Sequence, residues 1–461
     1  MSALFTIADM STSNFISKTT GRHVEADILL PGAAGYDQAR QPWNLSAEQH
    51  PAAICVARSV HDVQFAVAYA RERGLRIATQ ATGHLAQTLP TLENALLLRT
   101  ALKGTIRVDP EARTVRFAAG VRWGDIVDAV AEHDLAVMHG SSPSVGAVGY
   151  LLNGGLSFYG RAHGLAANHV RAFDVVTPDG VTRRVDTEQH PDLFWALRGG
   201  GGNTAIVCGV ELELLPNTTV TGGALFFSSD DASAVIRAWR DWASDASESM
   251  TTTCRILCLP PLPDVPAPLR GVPTVCVDGV SLNPLVARNL EMRLRGTATP
   301  LLGGFGAMPS SAVARLHQDP ETPMPAIGDG MLLRSLDDSA IHEFLRVAGS
   351  NSPLIAAELR QLGGALASAP PGAGARGCLE GEYLLFGVGV PGAPAPAADL
   401  EAHIDRLLSA LEPWATGTRF ASFAERQSSM AGCLPSDALR HLQAVRRAFD
   451  RDRLLIPAHE A

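Results

Sequence analysis

The sequence predicts an α+β protein of more than one domain, and three observations carry that prediction. A chain of 461 residues exceeds what one hydrophobic core usually serves. From Pro51 short apolar runs alternate with stretches of helical spacing, the order expected where helices pack on sheets. Around Asn217 the chain passes into a different region, again of strand-like runs and helices.

Taken in order, residues 1–30 are rich in Ser and Thr without a clean period and are expected to form a loosely ordered tail. Ala53–Ala57 reads as a strand. Ser59-Val60-His61-Asp62 then opens a helix that closes at Gly74, the residue types that cap helix ends. Arg76–Gln80 is a strand running into the loop Ala81-Thr82-Gly83-His84. Leu96–Leu98, Ile106–Val108 and Thr114–Ala118 are further strands, and Trp123–His133 a helix. A short helix from Asp192 to Arg198 delivers four glycines and then the β run Ala205–Leu214. Beyond Asn217 come the strand Ala224–Ser228, the helix Ser233–Trp242, and a Pro-rich stretch from Leu259 to Asp264 expected to link a strand to a helix. Leu354–Glu358 and Glu382–Val390 are β-like around a Gly/Ala/Pro loop, and Ser436–Phe449 is a closing helix.

Composition excludes several function classes. A formal net charge of −9 with no basic stripe argues against nucleic-acid or anionic-membrane partners. Seven scattered cysteines do not make a disulfide framework, and Cys254 and Cys258 lack a second pair at zinc spacing, so no metal site is expected. The first residues lack a leader's basic and apolar regions, and no apolar run reaches the length of a membrane span, so a cytoplasmic protein is expected.

Three glycine-rich constellations carry chemistry. In Ala81-Thr82-Gly83-His84 a glycine permits close approach of a ligand, and consecutive turn amides suit an anion such as pyrophosphate. The adjacent His84 is open to three readings: core packing, metal ligation or a covalent bond to a flavin. From Gly140 to Gly155 there are five glycines in sixteen residues, too many for a helix or strand and suited to backbone recognition of a polar ligand. The third is Gly199–Gly202, followed by Asn203. None of these is a Rossmann fingerprint, a P-loop or a nucleophile elbow.

In their order these pieces resemble the FAD-linked oxidases with a vanillyl-alcohol-oxidase-type (PCMH-type) flavin domain, in particular the berberine-bridge-enzyme-like branch. The matching stretches run almost end to end: Gly35-Tyr36-Asp37 with Arg40 and Trp43-Asn44, Gly83-His84, Ala119–Asp125, Gly140–Gly155, Arg161 with Gly164-Leu165-Ala166, Val175–Gly180, Asp192–Asn203, Glu358–Ala365 and Phe449-Asp450. The resemblance implies a two-part FAD-binding domain over residues 31–217. It further implies an α/β substrate domain over 218–410, with an antiparallel sheet flanked by helices, and a segment 411–461 returning to the FAD domain. It implies FAD joined through an 8α-histidyl bond at His84. Ser142 stands where doubly linked relatives carry cysteine, so the link is expected to be monocovalent. The implied cofactor-binding residues are Ala81, Thr82, Gly83, His84, Leu85, Gly120, Gly140, Ser141, Ser142, Val145, Gly146, Gly149, Tyr150, Asn153, Gly154, Gly155, Gly164, Ala166 and Val207. The sequence departs from the family where Phe420-Ala421-Ser422-Phe423 replaces a Tyr-x-Asn-Phe pattern, losing a tyrosine that some members use to abstract a proton.

Oxidation by a flavin removes hydride from carbon while a base takes a proton from O or N. The candidate bases are Tyr159, Tyr383 and Glu358, with Arg360 expected on the same strand face as Glu358. A surface ion pair or a domain contact is the competing role for the charged residues. The expected function is hydride transfer from a small, rather hydrophobic natural-product-type substrate of secondary metabolism, with molecular oxygen as acceptor and possible homodimerisation. The alternatives are a non-redox cyclase in which FAD is structural, and a flavin-free binding protein.

Overall fold

The computed structural model describes residues 27–216, 219–392 and 395–461. The expected tail, as far as residue 26, and the boundary residue Asn217 lie outside the described residues.

Three main sheets organise the chain. The first runs in the order Ile28–Leu29, Ala53–Ala57, Ala95–Thr100, Arg76–Gln80 and Leu455–Ile456, parallel except at its first pair. The connection between Ala53–Ala57 and Arg76–Gln80 is the helix Val60–Arg73. Ser59 accepts from the Asp62 amide while Asp62 reaches back to the Ser59 amide, and Gly74 ends the helix at φ 64°, a conformation glycine adopts without strain. Its stripe of Val63, Ala66, Val67 and Ala70 is fully buried. The second sheet is antiparallel, in the order Arg107–Asp109, Thr114–Ala118, Ile206–Glu213, Val170–Val176 and Thr182–Val185. These two sheets and the helix Trp123–Ala131 share one continuous core.

The third sheet has seven antiparallel strands, ordered Leu302–Pro309, Thr219–Ser228, Pro273–Ser281, Met250–Cys258, Ala356–Gln361, Tyr383–Gly389 and Ile327–Leu333. The helices Ala232–Ala243, Pro284–Thr297, Asp338–Ala348 and Ala397–Leu411 bury their apolar stripes on one face of it. Trp239, at the centre, is fully buried and donates its indole N–H to Thr252 Oγ1 at 2.8 Å; burial of so large a side chain is worth about 3 kcal/mol. The opposite face is left for a ligand. The Pro-rich stretch Leu259–Asp264 leads from the strand Met250–Cys258 to a single 3-10 turn, Ala267–Leu269, before the neighbouring strand Pro273–Ser281.

The C-terminal residues close the molecule against the first sheet. Leu455 and Ile456 pair with Ile77 and Ala78, and the Asp450 carboxylate accepts the Leu454 and Leu455 amides at 2.7 and 3.1 Å.

Candidate active site

A cavity of about 930 Å³ lies between the glycine loops and the open face of the seven-stranded sheet. That is ample for a large ligand with a smaller one beside it.

The first wall is mainly backbone. The loop after Arg76–Gln80 turns at Gly83, φ 87°, where a Cβ would stand 2.7 Å from Pro42 Cβ. Arg99 holds this loop by donating to the Ala81 carbonyl at 3.1 Å and the Gln41 carbonyl at 2.9 Å. Across from it runs the segment 140–146, and Gly146 packs 3.3 Å (from an added Cβ) against Ala81. Among the described residues, the amides of Gly83, His84, Ser141, Ser142, Ser144 and Val145 donate to no backbone carbonyl. Two facing turns with unspent amides make a cradle for phosphate oxygens. Gly149 lines the cavity with nothing within 4 Å of where its Cβ would sit, so the space beside it is open to a ligand. Gly201 and Gly202, both at positive φ, continue the wall. Asn203 pins them to the C-terminus by donating to the Gly200 and His459 carbonyls at 2.7 and 2.9 Å. These features fit FAD.

His84 points into this cradle. Its ring stacks on Trp43 at 4.1 Å; Thr82 Oγ1 lies 2.9 Å from Nδ1 and Ser144 Oγ 3.2 Å from Nε2. Burial, with a smaller push from Arg122, lowers its pKa to about 3, so the ring is a neutral imidazole with one nitrogen lone pair available. Ser142 Oγ sits 2.9 Å from Ser144 Oγ, which extends the hydroxyl chain from the histidine.

Of the residues expected to hold the cofactor, Ala81, Thr82, Gly83, His84, Leu85, Gly140, Ser141, Ser142, Val145, Gly146, Gly149, Tyr150, Asn153 and Val207 line the cavity. Gly120, Gly154, Gly155, Gly164 and Ala166 do not line it, and their glycines serve packing instead. A Cβ on Gly155 would meet the Tyr150 ring at 2.4 Å, one on Gly154 would meet Phe420 at 3.0 Å, and one on Gly120 the Leu102 carbonyl at 2.6 Å. Gly164 turns at φ 82° beside Ala365, and the Ala166 amide donates to the Gly155 carbonyl at 3.0 Å.

The second wall is made of side chains. Glu358 and Arg360 project from one face of their strand into the cavity, Arg360 Nε donating to Glu358 Oε1 at 2.6 Å. Burial opposes ionisation of Glu358, but the Arg360 guanidinium, helped by His317 and Arg255, outweighs it and keeps the carboxyl below its usual pKa. Phe158 and Phe423 flank the Arg360 guanidinium at 5.6 and 5.2 Å. Arg255 pairs with the buried Asp278, and His317 Nε2 lies 3.3 Å from the same carboxylate, without hydrogen-bond geometry. Asp319 accepts from Ser141 Oγ at 3.1 Å, bridging the two walls.

The two tyrosines proposed as bases are elsewhere. Tyr383 faces the helices behind the sheet, 5.6 Å from Trp239, because residues 384, 386 and 388 take the other side of its strand. Tyr159 is buried against His139 with its hydroxyl unpartnered. Neither lines the cavity, and burial raises both phenols well above their ordinary pKa. Phe420, at the place of the missing tyrosine, is buried and stacks on Phe423.

Sequence reasoning missed Arg255, His317 and Glu425. Glu425 opens on the cavity, where desolvation, and then the neighbouring Asp329, raises its pKa to about 8. Its place two residues after Phe423, in the altered motif, is the one signal that pointed to it. Arg255 and His317 lie in segments with no distinguishing pattern.

Comparison with known proteins agrees with this geometry. Residues 51–186 match the family described as an FAD binding domain. The (R)-6-hydroxynicotine oxidase of Paenarthrobacter nicotinovorans is 32% identical over 201 residues, 43% of this chain and 44% of that protein; the match thus spans less than half of that relative's length. Among solved structures, the BBE-like 1 protein of Physcomitrella patens superposes with a TM-score of 0.82 at 18% identity, covering 94% of this chain and 96% of that one. The glucooligosaccharide oxidase of Acremonium strictum, described with a 6-S-cysteinyl, 8α-N1-histidyl FAD, gives 0.78 at 19% identity, covering 95% and 97%. The fold is therefore that of these FAD oxidases.

Proposed function

We propose that this protein, which carries an FAD-binding domain on the fold of the berberine-bridge-enzyme-like FAD-linked oxidases, is itself an FAD-dependent oxidase of a small organic alcohol or amine. The observation that carries the reading is one cavity with an amide-lined cradle on one side and the Glu358–Arg360 pair on the other. FAD, held by the glycine-loop wall, would supply the hydride acceptor. Glu358 takes the proton: its Oε1 is held by Arg360 Nε, and it stays ionised at neutral pH. Phe158 and Phe423 exclude water from that pair and strengthen its electrostatics. Glu425, kept protonated at neutral pH by burial, lines the same cavity as a neutral hydrogen-bond donor.

In this reading His84 is the single point of covalent attachment, its unprotonated ring being the nucleophilic form, and Ser142 offers no thiol for a second. Molecular oxygen is the final acceptor. Mass spectrometry of the intact purified protein tests the cofactor and its tether together. An FAD-sized increment and acid-stable yellow colour are expected, both lost in His84→Ala; an unmodified mass and colourless protein, even after refolding with excess FAD, would sink the proposal. The protonated Glu425 also suits a non-redox cyclisation begun by an acid. Anaerobic substrate addition separates the two, because bleaching of the flavin accompanies only the oxidation.

A further inference from the structure

The strand register of the large sheet sorts its cavity face into rows of different polarity. The row nearest the flavin-side wall pairs Asp278 with Thr253 and Thr253 with Arg360. The next runs from Phe226 through Cys276, Arg255 and Glu358 to Phe386. The third pairs Leu257 with Ala356 and Ala356 with Val388, and beyond it lie Leu259 and Val390. Charge is therefore confined to the two rows under Phe158 and Phe423, and the face turns apolar within about 7 Å, two residues further along each strand. The loop that follows Leu259 folds over this apolar end and contributes Val265, Pro266 and Leu269 to the cavity, together with the solvent-exposed Asp264.

The two arginines of the polar end are already matched, Arg255 with Asp278 and Arg360 with Glu358, while Asp319 beside them accepts from the neutral Ser141 hydroxyl. A further full charge of either sign would meet a like charge in a water-poor space. Yet Arg360, 97% buried, makes only its Nε bond to Glu358 among the described residues, and Arg255 Nε has no partner. Hydrogen-bond donors are available there, while the charge of each arginine is already compensated.

We infer that the substrate is an elongated, uncharged molecule, with a hydroxyl or carbonyl head on the Arg360 donors and an alkyl or aryl tail along Leu257, Ala356 and Val388. This rests on the oxidase reading for where chemistry occurs, but the binding claim stands on the sheet's polarity alone. It separates this cavity from one built for an oligosaccharide, which would need hydrogen-bonding groups along its whole length.

The test uses the purified holoprotein and the methyl ketones 2-butanone to 2-decanone, titrated by thermal shift and by perturbation of the flavin spectrum. Affinity should rise about fourfold for each added methylene. Decanoate, decylamine and maltotriose should each bind at least tenfold more weakly than 2-decanone. Val388→Trp should abolish the chain-length dependence and leave 2-butanone binding unchanged; Ala356→Phe serves the same purpose if the first variant does not fold. Affinity independent of chain length, preference for maltotriose or a charged ligand, or an unaltered series in both variants would each overturn the inference. Thermal shift needs neither colour nor turnover, so a colourless protein that still ranks the ketones by length would sink the oxidase reading alone.

Discussion

The two walls of the cavity are built by opposite means. On the cofactor side the surface is backbone: Gly83, Gly146, Gly149, Gly201 and Gly202, beside the amides of His84, Ser141, Ser142, Ser144 and Val145, which among the described residues donate to no backbone carbonyl. On the sheet side it is side chains, with Arg255, Glu358 and Arg360 giving way to Leu257, Ala356 and Val388. A backbone wall tolerates few substitutions, since an added Cβ at Gly83 lands 2.7 Å from a proline. A side-chain wall can be rewritten one residue at a time without disturbing the strand beneath. The cofactor is the fixed part of such a protein and the substrate the variable one, and each is served by the wall that suits it.

Substitutions on either side can break that contrast. The largest effect is expected from Glu358→Gln, which should lower kcat by about 10²–10⁴-fold while leaving the flavin spectrum intact. Unchanged turnover would move the base off the sheet wall. Next, the glycines should divide in two. Gly83→Ala forces a residue at φ 87° against Pro42 and should cost about 1–3 kcal/mol in denaturant unfolding. Gly149→Ala has open space around it and should spare stability while weakening FAD retention; equal loss of stability in both would show that the wall is mere packing.

Another effect is set by pH. The carboxyl of Glu425 titrates near 8 in the folded protein against an ordinary 4.5, so the folded state binds more protons across that interval. Stability should therefore fall as pH rises from about 4.5 to about 8, through this group. Melting temperatures from pH 5 to 9 should show this decline in the wild type and a flatter profile in Glu425→Gln; identical profiles would return Glu425 to solvent. The smallest effect belongs to Tyr383→Phe and Tyr159→Phe. Both should leave turnover unchanged, and the second should not lower stability, since the Tyr159 hydroxyl it deletes has no partner.

That contrast also explains what could be read beforehand. The helix Val60–Arg73 was legible because Ser59, Asp62 and Gly74 are local signals separated by a few residues. The cradle was legible because five glycines between Gly140 and Gly155 have no use in a regular element. Glycine alone did not say which of them face the ligand: Gly154 and Gly155 make room for Phe420 and Tyr150. The candidate tyrosines show the limit more sharply. Tyr383 and Glu358 sit on adjacent strands of one sheet, but they occupy opposite faces, a matter of register between segments 25 residues apart.

By itself the sequence determined the cofactor side, because close backbone approach to a dinucleotide demands particular residue types at particular places in the chain. It also determined that Glu358 and Arg360 share a face, since alternation along a strand is local. Only the tertiary structure decided what those two residues meet. Arg255, Asp278, His317, Asp319 and Glu425 come from separate segments and meet only through strand pairing and burial, which also sets the raised pKa of Glu425. Coulombic and desolvation energies depend on distance through space, and distance through space is what a linear order of residues leaves open.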